Sequence, residues 1–133
     1  MIDIENEIYT GFRNAVKKKH PKCSVSGAST SMPAEFPAVA VEETDNYAYK
    51  KSVDGASNEN HAILVYTIKV WSKDRTDKKA EAKAILQTVD NYFNELGFRR
   101  KSSKHFEGED GVTYRATARY DAVVSQDHKV FRR

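Results

Sequence analysis

The chain has 133 residues, room for one domain of ordinary size and too few for two independent cores. Its 22 basic and 19 acidic side chains leave a net charge of +3, too balanced for an electrostatically driven nucleic-acid binder, while 39% hydrophobic and 31% charged residues describe a modest core under a heavily charged exterior. The single cysteine, Cys23, excludes an intrachain disulfide and a thiolate zinc site, and reads as a small half-buried residue.

The N-terminus, Met-Ile-Asp-Ile-Glu-Asn-Glu, is acidic where a signal peptide would be basic. No apolar run approaches the ~20 residues of a membrane span, so the expectation is a chain made in the cytoplasm with no membrane partner. From Ile2 to about Lys19, Ile4, Ile8, Phe12 and Val16 recur every four residues, which predicts a helix packed on one side. Asp3, Glu5 and Glu7 at its start and Lys17, Lys18, Lys19 and His20 at its end complement the helix dipole, and Pro21 stops it.

Cys23 and Val25 predict a short strand before a Ser- and Ala-rich loop bracketed by Pro33 and Pro37. Ala38 to Glu43 follows as a strand carrying Val39 and Val41. Over residues 44–60, Tyr47, Tyr49 and Val53 alternate with small and basic residues before the Asp54-Gly55 turn signal, which predicts a hairpin or loop arm projecting from the domain. Tyr and Lys side by side suit a contact surface.

His61 to Ser72 is the most apolar run, free of Gly and Pro, and predicts a central strand covered at least in part on both faces. Ile68 and Val70 belong to one face and Ile63, Val65 and Trp71 to the other. A second helix is expected from about Asp77 to Leu96, capped by Asp74 or Thr76 and ended by Gly97, with Ala80, Ala84, Ile85, Thr88, Val89, Tyr92, Phe93 and Leu96 as its buried stripe. Phe98 to Glu107 reads as a basic strand and Gly108 to Gly111 as a turn. Val112 to Ala122 alternates Tyr114, Ala116, Ala118 and Tyr120 against Arg115, Thr117, Arg119 and Asp121, an antiparallel strand with one wet or partner-facing side. A short last strand is expected over Lys129 to Arg132.

These elements predict a single α+β domain spanning 1–133. Its sheet is antiparallel, mixed at most, with four to five strands and two helices packed against it.

No helical His pair, phosphate loop, nucleophile elbow or Cys pair occurs, so neither a catalytic site nor a cofactor is expected. His61 and His105 could form a catalytic or metal-bound pair only by meeting in space, and Glu42, Glu43 and Asp45, which could ligate a hard cation, read more plainly as solvated acids at a strand end. Arg99, Arg100, Lys101, Lys104, Arg115 and Arg119 make a basic face best read as solvated and paired with Glu107 and Asp121. Aromatics do not interleave these arginines as single-strand binders require, so no specific nucleic acid is expected.

The stretches Phe36-Pro-Ala-Val-Ala-Val-Glu-Glu, Tyr66-Thr-Ile-Lys-Val-Trp-Ser, Leu96-Gly-Phe-Arg-Arg and Tyr114-Arg-Ala-Thr-Ala-Arg-Tyr-Asp, in this order of elements, resemble the tail terminator or tail completion (head-tail joining) proteins of long-tailed bacteriophages and prophages. The resemblance implies a non-enzymatic virion protein that forms a homo-hexameric ring at the head-proximal end of the tail tube. It would stop tail growth there and meet both the major tail tube protein and the head-tail connector protein. Related expectations are a head-tail connector or minor capsid protein of the same region and, more distantly, a small nucleic-acid-binding domain. The contact candidates are Tyr47, Tyr49, Lys50 and Lys51 in the arm, Trp71, Arg115 and Arg119 on the sheet, and Phe131 and Arg132 in the tail.

Overall fold

A computed structural model describes residues 1–27, 36–48, 61–73, 77–107 and 113–131 of the chain. Its elements are α1 (Glu5–Lys19), β1 (Ser24–Ser26), β2 (Ala38–Ala48), β3 (His61–Ser72), α2 (Lys78–Leu96), β4 (Arg99–Glu107), β5 (Tyr114–Ser125) and the two-residue β6 (Val130–Phe131). The sheet is mixed, with the path β1-β2-β3-β5-β4; only the β1–β2 pair is parallel, and β6 adds to β5 beyond the residues that β4 covers. This is the expected α+β fold with two helices.

β3 lies at the centre because it can be buried on both sides. It pairs with β2 over Ala62–Val70 and Trp71 and with β5 over its whole length. Ala62, Leu64, Tyr66, Ile68 and Val70 face the helices and are all fully buried. β5 adds Tyr114, Ala116, Ala118, Tyr120, Ala122 and Val124 to the same face. The small Ala116 and Ala118 let α2 approach the backbone closely.

The helices close this face. α1 buries Ile8, Phe12 and Val16, with Ile2 and Ile4 continuing the apolar contact before its first turn. α2 buries Ala82, Ile85, Thr88, Val89 and Phe93, so Ile68 and Val70 belong to one core with Ile85, Val89 and Phe93. The expected α2 stripe is corrected in one respect: Ala80 and Ala84 are exposed, and Ala82 takes the inward place. Alanine is as good a helix former outside as inside, so its position carries no information about the face. The helix begins after Asp77, which makes no side-chain cap bond, while Asp74 and Thr76 lie outside the described residues. Gly97, at φ 97°, ends it in the left-handed region as expected.

Aromatic rings lock the layers together. Phe93 stacks on Tyr120 at 4.6 Å between centroids and meets Phe98 edge-on at 5.3 Å, while Phe12 contacts it from α1 at 6.1 Å. Such pairs add ~0.5–1.5 kcal/mol beyond burial. The helices cross where Gly11 lies against the Tyr92 ring, and the Tyr92 hydroxyl donates to the Ile8 carbonyl at 3.0 Å.

The beginning of the expected arm is built into the sheet. Asp45, Asn46, Tyr47 and Ala48 prolong β2 and pair with Val65, Leu64, Ile63 and Ala62, with a register shift between Glu43 and Asp45. β2 and β3 are thus the legs of a hairpin. Residues 49–60, including Tyr49, Lys50, Lys51 and the Asp54-Gly55 turn, lie outside the described residues, as do the Gly108 to Gly111 turn and Arg132.

Candidate interaction surface

The two sides of the sheet differ in what covers them. Both helices pack on the side of Leu64, Tyr66 and Ile68. On the reverse side, the ladder aligns residues in rows that cross four strands. Ala38, Trp71, Arg115 and Phe106 form the first row, Ala40, Lys69, Thr117 and Lys104 the next, and Glu42, Thr67, Arg119 and Ser102 the third. Asp45, Val65, Asp121 and Arg99 follow, and Tyr47, Ile63 and Val123 make the last, with Phe131 paired to Val123.

Four of the sequence-derived contact candidates therefore share one face. Trp71 and Arg115 are neighbours in the first row, Arg119 lies in the third and Tyr47 in the last. Phe131 pairs into the same end of the sheet through β6. Their surroundings differ. Trp71 is only 2% exposed, packed with Phe36, Ala38 and Ala40 in a small separate cluster, so its ring is covered within the chain. Tyr47 is 47% exposed and Phe106 42% exposed. The Arg115 guanidinium lies 4.8 Å from the centre of the Phe106 ring, a cation–π contact.

The middle of this face is polar and shallowly concave. A depression of about 370 Å³ is lined by Asp45, Tyr47, Val65, Lys101, Ser102, Arg119 and Asp121. Asp121 is nearly buried and is held by Lys101 Nζ at 3.6 Å. A smaller hollow of about 100 Å³ lies among Ala40, Glu42, Thr44, Thr67 and Lys69.

The basic face expected from the sequence is divided by the fold. A register shift between Arg100 and Ser102 places Arg100 opposite Tyr120, on the helix side, where it pairs with Asp90 at 3.4 Å. Arg99, Lys104, Arg115 and Arg119 stay on the reverse side. The bulge at Lys101 is the physical reason: one extra residue inverts which side the preceding residues face.

Polar groups on the helix side serve packing. Tyr120 donates to Asp90 at 2.8 Å, Ser72 donates to Glu81 at 2.6 Å, and Tyr66 donates to Glu43 at 3.4 Å. Burial, and then the charge of Glu43, raises the Tyr66 phenol pKa; burial and the bond to Asp90 raise that of Tyr120. Burial also pushes Cys23 up to about 11, so its thiol stays protonated. His61 and His105 do not meet. Their ladder partners on β5, Ser125 and Ala116, are nine residues apart, about 30 Å along a strand. Among the described residues, no group of His, Cys, Asp or Glu could hold a metal ion, and no helix is long and apolar enough to cross a membrane.

Sequence reasoning placed Ile63 with Val65 and Trp71 on the second face of the central strand but missed Val123 and Phe106 as parts of this surface. The odd-numbered alternation of His61 to Trp71 was the available signal for Ile63, whereas Phe106 reaches this face only through the β4 bulge.

No protein-family model matches the sequence, and no curated protein matches it. Its fold is similar to that of a chain in a solved structure described as the virion of a native gene transfer agent particle, with a TM-score of 0.65 and 16% sequence identity over 89% of this chain and 91% of that chain.

Proposed function

We propose that this protein is a structural subunit of a phage-type virion, of the tail terminator or tail completion kind. The observation that carries the reading is the shared fold, matched almost end to end, with a chain from a gene transfer agent virion. The surface described above supports it. A sheet with helices on one side presents, on the other, the exposed aromatics Tyr47 and Phe106 and the arginines Arg115 and Arg119 about a polar centre, the mixture found where proteins bind proteins.

In this role the chain carries out no covalent chemistry. It forms a ring of six copies at the head-proximal end of the tail tube, stops tube growth and joins the tail to the head connector. Its partners are other copies of itself, the major tail tube protein and the head-tail connector protein, and its place in the mature particle is the head-tail junction after synthesis in the host cytoplasm. Tyr47, Arg115 and Arg119 are the contact residues on the described sheet.

Native mass spectrometry at rising concentration, together with co-sedimentation on purified tail tubes, tests the proposal. Ring-sized species and saturable binding to one end of the tubes are expected. A strictly monomeric chain that leaves tubes unbound and uncapped overturns it. Binding to head connectors without tubes would move the chain to the connector or minor capsid role. Nucleic-acid binding that collapses with salt would favour the more distant binding-domain reading.

A further inference from the structure

The two lateral edges of the sheet carry opposite charge at the same height. On β2, Glu42, Glu43 and Asp45 occupy three successive ladder positions, joined through β3 and β5 to Ser102, Arg100 and Arg99 on β4. Lys101 sits in the bulge between them. The acidic end is reinforced from α1, because Glu5 accepts from the Glu43 amide at 2.9 Å and Asp3 lies in the same hollow as Glu5. The basic end is well exposed, with the side chains of Arg100 and Lys101 54% and 52% accessible despite their pairs with Asp90 and Asp121.

The edges also differ in backbone. Among the described residues, no strand pairs with the outer edge of β4 along its nine residues. β1 covers β2 only at Ala38–Ala40, and alongside the acidic positions the N-terminal segment takes over, with Asn46 donating to the Ile2 carbonyl at 2.8 Å. An open edge is a template for pairing with another chain, and like charge along it forbids two identical β4 edges from meeting. The opposite charge on the far side of the same molecule permits a different pairing.

We infer that a second copy of this chain docks its β2 edge, through Glu42, Glu43 and Asp45, against the β4 edge of the first, through Arg99, Arg100 and Lys101. The contact is head-to-tail, so a docked pair still presents one unused edge of each sign and the series continues until it closes. Because both patches lie at one level along the strands, successive copies are related by rotation about an axis roughly parallel to the strands, with little climb. The inference rests on the proposed assembly role and adds the edges that meet.

Charge exchange tests it. R99E/R100E puts acidic patches on both edges, and E42K/D45K turns the two ladder positions that flank Glu43 basic; R99E alone leaves the Arg100–Asp90 pair intact as a control for folding. Each reversed variant alone should associate on the order of tenfold more weakly or worse, and their equimolar mixture should recover assembly as alternating copies, both effects fading in high salt. Thermal melts confirm that each variant is folded.

Wild-type assembly that the reversals leave unchanged overturns the edge pairing while the virion role stands. Reversed variants that fold and fail alone but do not recover when mixed overturn it as well. A wild-type chain that remains monomeric overturns the inference, and the virion role is then decided by tail-tube binding alone.

Discussion

The helix-covered face and the reverse face of the sheet, on which no helix packs among the described residues, are built from the same strands by alternation, yet they obey different rules. On the covered face, Tyr66, Ile68, Ala118 and Tyr120 are buried to within 1% of complete, and the two phenols are tied to Glu43 and Asp90. On the reverse face, apolar side chains such as Ile63 and Val65 alternate with Lys69, Arg119 and Glu42, and exposure varies from residue to residue. The first pattern is selected by packing density, which penalises any change of volume. The second is selected by what the surface must meet, and truncation there leaves the fold standing.

Substitutions can break this contrast, beginning with its firmest side. Phe93→Ala should cost about 3–5 kcal/mol and Ile68→Ala about 2–5 kcal/mol in urea unfolding, since each would leave a cavity at the meeting of both helices with the sheet. A loss below ~1 kcal/mol for Ile68→Ala would show that β3 does not face the helices as described. Gly11→Ala comes next. Its new methyl would collide with the Tyr92 ring and strain the bond from Tyr92 to Ile8, so a drop of about 1–3 kcal/mol is expected, measurable by thermal melting.

A smaller effect lies at the border of the two regions. Burial raises the Glu43 carboxyl pKa above its ordinary 4.5, opposed by the Asn46 hydrogen bond and assisted by the charges of Glu5 and Asp3. The folded chain thus retains a proton that the unfolded chain has released, and stability from this group falls as pH rises through the window above 4.5. Glu43→Gln should therefore stabilise the protein near neutrality, by less than about 1 kcal/mol because solvent screens a partly exposed group, with the gain shrinking toward pH 4. An equal gain at both pH values would point to packing instead of charge. The least effect on stability, within about 0.5 kcal/mol, is expected for Tyr47→Ala and Arg119→Ala. The same two changes should weaken assembly or tube binding. A large loss of stability would show that Tyr47 and Arg119 belong to the core after all.

Regular periodicity made half of this contrast legible in advance. The four-residue repeat from Ile4 to Val16 and the alternation from Tyr114 to Ala122 identified α1 and β5, and the unbroken apolar run identified β3, because in each the buried residues differ chemically from the exposed ones. The second half of β2 was obscure. Asp45 and Asn46 are poor strand formers individually, and only pairing with β3 makes them part of one, while the shift after Glu43 disrupts the alternation that would have announced it. The bulge at Lys101 concealed the side taken by Arg100 in the same manner. The surface itself is a consequence of both helices choosing one side, which no local pattern encodes. Tyr47, Trp71, Arg115 and Arg119 could be named singly from their chemistry; their common face follows from the register.

Cys23 gives the fold a practical property. It is the only sulfhydryl in the chain, fully buried, and protonated at ordinary pH. Maleimide reagents consume thiolates, so the wild-type protein should be nearly silent toward them. A cysteine introduced at Tyr47, Lys104 or Arg119 would then be the sole reactive handle, and a fluorophore placed there would report on one side of the sheet without background from the core.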